Sequence, residues 1–270
     1  MFHQAVENKE DAERLEELRA LPYYYWEEDE EDWYISPSKA LSHAIIHDHT
    51  LYARYLLSRF KEEALDVSWL KGYMNPPRSY HLALAVSLDR KDILISIIKV
   101  VQSITNADTY VEKLNHSHCR KTPLHLACEL GGPDQVLILL ASGASPQVKD
   151  GMGQTALDVI LGQIWTSEDN MESKSQCLEY LLWFSHRLDF GMKPCLQHDP
   201  ESWAPILGKD IYYYLVGNSA ATLSTLAMRR ILKTLHPRDY PHNVLKLPLP
   251  RCLKPLPRTS RFNELLALQS

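Results

Sequence analysis

At 270 residues the chain is long enough for one large domain or two modest ones. A net charge of -5 and a pI near 6.2 argue against a general nucleic-acid-binding surface, which is ordinarily basic. Five widely spaced cysteines, without a C-x-x-C pair, argue against a disulfide framework and predict a reducing, cytoplasmic setting. The opening residues predict no secretory leader, and the longest apolar stretches, such as Ile93 to Val101 and Val136 to Ala141, fall short of the about 20 residues that a bilayer requires.

Residues 1–35 read as an N-terminal cap in which Phe2, Leu15, Leu18 and Leu21 cover the first packed unit. Within it, six consecutive acids from Glu27 to Asp32 lie between Tyr23-Tyr24-Tyr25-Trp26 and Trp33-Tyr34. Such a run is either a solvated loop or a partner contact with aromatic anchors. Ala40-Leu41-Ser42-His43-Ala44, followed by Tyr52 to Leu57, reads as a first helix pair, and His81-Leu82-Ala83-Leu84-Ala85, followed by Ile93 to Val100, as a second. His47-Asp48-His49 and His116-Ser117-His118-Cys119 contain metal-binding side chains but lack four ligands at zinc-finger spacing, so they fit inter-helix loops better.

The clearest unit begins at Lys121. Thr122 can cap a helix, Pro123 suits its first position, Leu124-His125-Leu126-Ala127 continues it, and Gly131-Gly132 turns into Val136 to Leu140. Gly143 stands where a left-handed residue ends the second helix. Thr155 repeats Thr122 at a distance of 33 residues (155 minus 122), with Asp150-Gly151-Met152-Gly153-Gln154 before it as a hairpin finger. A polar stretch, Thr166 to Gln176, then separates this unit from a helix over Cys177 to Phe184. The Thr122-Pro123-Leu124-His125-x-Ala127 run and the 33-residue period resemble the ankyrin repeat. The resemblance implies an all-α solenoid of about four repeats over residues 36–184, some of them degenerate. It also implies that His125 makes structural hydrogen bonds, and that Asp150, Met152 and Gln154 lie on or near a target-binding concave surface.

Residues 185–216 read as a bridging and capping segment that includes Trp203 and Tyr212-Tyr213-Tyr214-Leu215. From Thr222, the apolar residues Leu223, Leu226, Ala227, Ile231 and Leu235 fall at helical spacing, and Pro237 ends the helix near His236. Val244, Leu247-Pro248-Leu249-Pro250, Leu253 and Leu256 then form a proline-interrupted extended segment. Together these residues resemble the suppressor-of-cytokine-signalling box, or SOCS box, over residues 217–256, with 257–270 as a tail. Members of that family usually carry Cys where this chain has Ala227.

The SOCS-box resemblance implies a substrate-recognition subunit of a RING ubiquitin ligase. Thr222, Leu223, Ala227 and Ile231 would bind elongin B and elongin C. Val244, Leu247, Pro248, Leu249, Pro250 and Leu253 would recruit cullin-5 and its RING subunit. The order of S-P-S-x-A-L at Ser36, H-D-H at His47, H-x-A-L-A-V at His81, L-H-x-A-C-E-L at Leu124 and L-P-L-P at Leu247 is similar to one branch of ankyrin-repeat proteins. That likeness implies inosine monophosphate dehydrogenase as a target. The sequence shows no nucleophile elbow, kinase signature, phosphate loop or paired metal-binding histidines, so neither a catalytic centre nor a cofactor is expected. The alternative is an ankyrin scaffold that holds a partner without ubiquitination.

Overall fold

The computed structural model describes residues 1–21, 35–66, 80–103, 121–235 and 247. The chain divides into two compact units, Met1–His116 and Ser117–Ser270. The described residues are helical throughout, with no strand among them.

In the first unit, α1 (Phe2–Glu7) and α2 (Ala12–Ala20) precede two antiparallel pairs, α3 (Pro37–Ile46) with α4 (Thr50–Phe60) and α5 (Tyr80–Ser87) with α6 (Lys91–Ser103). The starts are locally encoded. Asp11 accepts the Arg14 N–H at 2.9 Å and Ser36 accepts the Lys39 N–H at 3.2 Å, each satisfying an orphan donor of the first turn. Besides the contacts within each pair, α3 packs on α5 and α4 packs on α6, so first helices stack on first helices and second on second. Phe2, Leu15 and Leu18 are buried. Leu21 is instead half exposed, because it follows the last turn of α2 in extended backbone (φ −66°, ψ 131°) and leaves the packed face.

His49 shows how a histidine in this unit is used. Its Nδ1 accepts the Tyr52 N–H at 3.3 Å, capping α4, and its Nε2 donates to the Glu10 carbonyl at 2.8 Å. Both ring nitrogens are therefore committed to backbone. His81 is fully buried on α5, with Nε2 3.0 Å from the Ser38 carbonyl and 3.2 Å from Ser42 Oγ on α3. Burial pushes its pKa down to about 4, against the smaller opposing effects of the Ser38 bond and Asp66.

In the second unit, α7 (Pro123–Glu129) pairs with α8 (Pro133–Ala141), and α9 (Ala156–Thr166) pairs with α10 (Met171–Phe184). The same stacking recurs, α7 on α9 and α8 on α10. α8 is enclosed on all sides, with Asp134 to Ala141 all buried, and each fully buried Leu or Ile of this kind contributes about 1.5–3 kcal/mol. The chain then forms three short helices, α11 (Lys193–His198), α12 (Pro200–Leu207) and α13 (Lys209–Val216), and a longer α14 (Leu223–Thr234).

Two expectations change in this unit. The finger before Thr155 is a tight turn rather than a strand pair. Two backbone bonds close it, Asp150 N–H to the Gln154 carbonyl at 2.8 Å and Gly153 N–H to the Asp150 carbonyl at 3.1 Å, with Gly153 at φ 79°, a left-handed position that favours glycine. Helix α10 also starts at Met171, so most of the polar stretch before Cys177 is helical. Lys174 accounts for this. Its stem is buried, and its ammonium donates to the Gln163 carbonyl at 2.9 Å and the Ser167 carbonyl at 2.7 Å, a cation at the C-terminal end of α9.

Candidate protein-binding surfaces

The turn at 150–154 is fixed from below by a polar ladder that begins at Thr122. Thr122 Oγ1 accepts the His125 N–H at 3.4 Å, while His125 Nδ1 accepts the Thr122 N–H at 3.3 Å, a reciprocal cap of α7. With Nδ1 used as an acceptor, the ring proton is assigned to Nε2, which donates to the Gln154 carbonyl at 3.0 Å. Burial, the largest influence, lowers the His125 pKa and favours this neutral form. His125 thus joins the start of one repeat to the finger of the next.

At Thr155, 33 residues on, the same task falls to an acid. Asp158 Oδ2 accepts from the Thr155 N–H at 2.8 Å and from its hydroxyl at 2.9 Å, and the Asp158 N–H donates to Thr155 Oγ1 at 3.4 Å. Oδ1 reaches forward to accept the Met192 N–H at 2.7 Å. Where His125 donates to a carbonyl, Asp158 accepts from an amide, so the ladder continues with reversed polarity into the segment that leads to α11.

The three residues expected to face a target separate into two kinds. Asp150 is only 7% exposed, and its Oδ1 accepts the Met152 and Gln154 N–H groups, each at 2.8 Å. It shapes the turn. Gln154 is half-buried and lends its carbonyl to His125. Met152 is 67% exposed at the tip, the one apolar side chain of the three that a partner can cover.

The buried thiols are inert. Burial, with Cys177 adding to it, pushes the Cys128 thiol well up, and burial followed by Asp134 raises Cys177 to about 12. Among the described residues no group of three or more His, Cys, Asp or Glu side chains is placed to hold a metal ion, and no helix is long and apolar enough to cross a membrane.

The second surface is α14. Thr222 caps it, Oγ1 accepting the Thr225 N–H at 3.2 Å, and the helix ends at Thr234. It packs on α10. Its anchoring face is Thr225, Met228, Arg229 and Leu232, at i, i+3, i+4 and i+7, all of them buried or half-buried. Met228 is 8% exposed. Arg229 donates through Nε to the Leu182 carbonyl at 2.8 Å and through Nη2 to the Tyr214 hydroxyl at 2.6 Å, its guanidinium 5.4 Å from the Tyr214 ring centroid. The other face is open. Leu223 is 83% exposed, Leu226 45%, and Ala227 is exposed beside them, while Ile231 is half-buried. Of the expected apolar stripe, the N-terminal part faces outward. The anchoring role of Arg229 had no sequence signal beyond its spacing from Met228, since an arginine on a helix reads first as a solvated charge. Of the expected cullin-contacting residues, Leu247 is half-buried, and Val244, Pro248, Leu249, Pro250 and Leu253 lie outside the described residues, as does the acidic run Glu27 to Asp32.

Comparison with known proteins bears most directly on the pair α7 and α8. Residues 119–151 match the ankyrin repeat family. Over an alignment of 93 positions that covers 31% of this chain and 21% of that protein, the chain is 36% identical to the B-cell lymphoma 3 protein homolog of Mus musculus. Over an alignment of 291 positions the chain is 30% identical to ankyrin repeat domain-containing protein 9 of Mus musculus, with 96% of this chain and 89% of that protein covered. The chain therefore belongs to the family of ankyrin repeat domain-containing protein 9.

Proposed function

We propose that this ankyrin-repeat protein is the substrate-recognition subunit of a cullin-5 RING ubiquitin ligase, acting in the cytoplasm. The observation that carries the reading is the outward apolar face of α14, with Leu223 83% exposed on a helix that is otherwise anchored. A large apolar side chain held in water on an ordered helix suits a groove-bound partner helix contact. In this reading Thr222, Leu223, Ala227 and Ile231 contact elongin C within the elongin B–elongin C dimer. Val244, Leu247, Pro248, Leu249, Pro250 and Leu253 select cullin-5, which brings the RING subunit and a charged conjugating enzyme.

In this reading the chain's role is to hold and position. The repeats, with Met152 at the tip of the finger, hold a target protein, and the target's lysine meets the ubiquitin thioester at raised effective concentration. Inosine monophosphate dehydrogenase is the target that the resemblance suggests. A scaffold that holds a partner without ubiquitination is the competing reading, and it predicts no ligase subunits.

Reconstitution with purified elongin B–elongin C and cullin-5 bearing its RING subunit separates the two. We expect one complex in size-exclusion chromatography. Replacing Leu247, Pro248, Leu249 and Pro250 together by Ala should remove cullin-5 and leave elongin B and C attached. Failure of the unaltered chain to bind any of these proteins would favour the scaffold.

A further inference from the structure

We propose that Arg229 is a positioning residue. By clamping α14 to the last helix pair, it sets the direction in which the repeats face the ligase. This inference rests on the reading of α14 as the elongin contact.

The geometry separates holding from binding on a single helix. Leu223, Leu226 and Ala227 point outward, and Met228 and Arg229 point to α10 and α13. Met228 supplies apolar contact, which has no preferred direction and allows a helix to roll or slide. Arg229 supplies direction. Its planar guanidinium spends two different N–H groups on two different elements: the Leu182 carbonyl at 2.8 Å, near the C-terminal end of α10, and the Tyr214 hydroxyl at 2.6 Å on α13. The Leu182 carbonyl is among the last four of its helix, which have no partner within the helix, and a cation there is favoured. The contact with the Tyr214 ring adds a third constraint. Two hydrogen bonds to separate elements fix rotation about the helix axis as well as position. Lysine cannot reproduce this fork.

The consequence concerns transfer rather than affinity. A receptor works by proximity, so a loose hinge between target and ligase spreads the thioester over many positions and lowers its effective concentration at any one lysine. The hydrogen bonds of Arg229 run to Leu182 and Tyr214 rather than to the outward residues of α14, so its loss should leave the composition of that contact face unchanged.

Three full-length proteins test this: the unaltered chain, Arg229→Met, which keeps an apolar stem, and Arg229→Lys, which keeps the charge. Hydrogen exchange on the free chains reads the clamp. Amides of α14 should exchange at least tenfold faster in Arg229→Met, with an intermediate rise in Arg229→Lys and no change in α8. Titration with elongin B–elongin C should give dissociation constants within twofold for all three. In the reconstituted ligase with ubiquitin, mass spectrometry of the chain's own ubiquitinated lysines reads direction. The unaltered chain should be modified at a restricted set, and Arg229→Met at a set at least twice as large. Unchanged exchange in α14, or an unchanged lysine pattern with elongin still bound, overturns the positioning role alone. Absence of elongin binding by the unaltered chain overturns the functional reading, and this inference with it.

Discussion

Helices α8 and α14 are both rich in apolar side chains and meet opposite fates. In α8, Val136, Leu137, Ile138, Leu139 and Leu140 are all buried, because α7 and α10 cover it from different sides. In α14 only Met228 is buried, and Leu223 and Leu226 stand in water. The unbroken apolar run Val136 to Ala141 marks α8 as a helix to be covered on every side, whereas the spaced apolar residues of α14 mark two faces of which only one is covered within the chain. Periodicity specifies that a face seeks a partner, and packing decides whether that partner is internal. An ordered helix that keeps its large leucine outside the core is therefore where an external partner is to be sought.

The largest effects should come from breaking this contrast on the stability side. Leu137→Ala removes a fully buried side chain from α8, and urea unfolding should show a loss of about 2–5 kcal/mol. Leu223→Ala should stay within about 0.5 kcal/mol of the unaltered chain, as for other exposed positions. Equal losses would mean that Leu223 belongs to the core.

Next in size is the reversed rung of the ladder. Asp158→Ala leaves the Thr155 and Met192 donors without their acceptor, and a buried donor left unpaired costs about 1–3 kcal/mol. Asp158→Asn keeps an acceptor oxygen and should recover part of the loss in the same unfolding assay.

A smaller, pH-dependent effect should arise in the first unit. The folded-state pKa of His81 lies at about 4, below the ordinary 6.5, so the unfolded chain takes up protons first as pH falls. The stabilising contribution is complete above pH 6.5 and is lost as pH falls toward 4. Between about pH 7 and 5.5 His81 alone should cost roughly 1 kcal/mol of stability. His43, also near 4 through burial and then the adjacent His3, adds to the slope. Urea unfolding of the unaltered chain and His81→Gln at the two pH values should show a shallower dependence in the variant.

Much of this arrangement was legible in the residues. Thr122 and Thr155, 33 positions apart, announced the helix starts, and Gly143 at φ 105° ends α8 as its position implied. The Thr155-x-x-Asp158 spacing is itself a capping signal, so the exchange of His125 for Asp158 was readable in principle. The forward bond to Met192 was not, because it joins residues that only the fold brings together. Lys174 and Arg229 were hidden for the same reason. Long cationic side chains read as surface charge, and only packing shows that their donors cap the carbonyls of helix ends. Asp150 lay in a turn by its glycine-rich neighbours, but its inward carboxylate depends on the turn's closure. The three short helices α11 to α13 follow no repeat, so periodicity could not delimit them.

The outward face of α14, in the proposed reading, serves a partner and not the fold. The most direct test is Leu223→Asp in the full-length chain, with elongin B–elongin C affinity and urea stability measured on the same preparation. Elongin binding should fall by at least a hundredfold, since a charge enters an apolar pocket, with stability within about 0.5 kcal/mol of the unaltered chain. Normal elongin binding by a folded Leu223→Asp protein would contradict it.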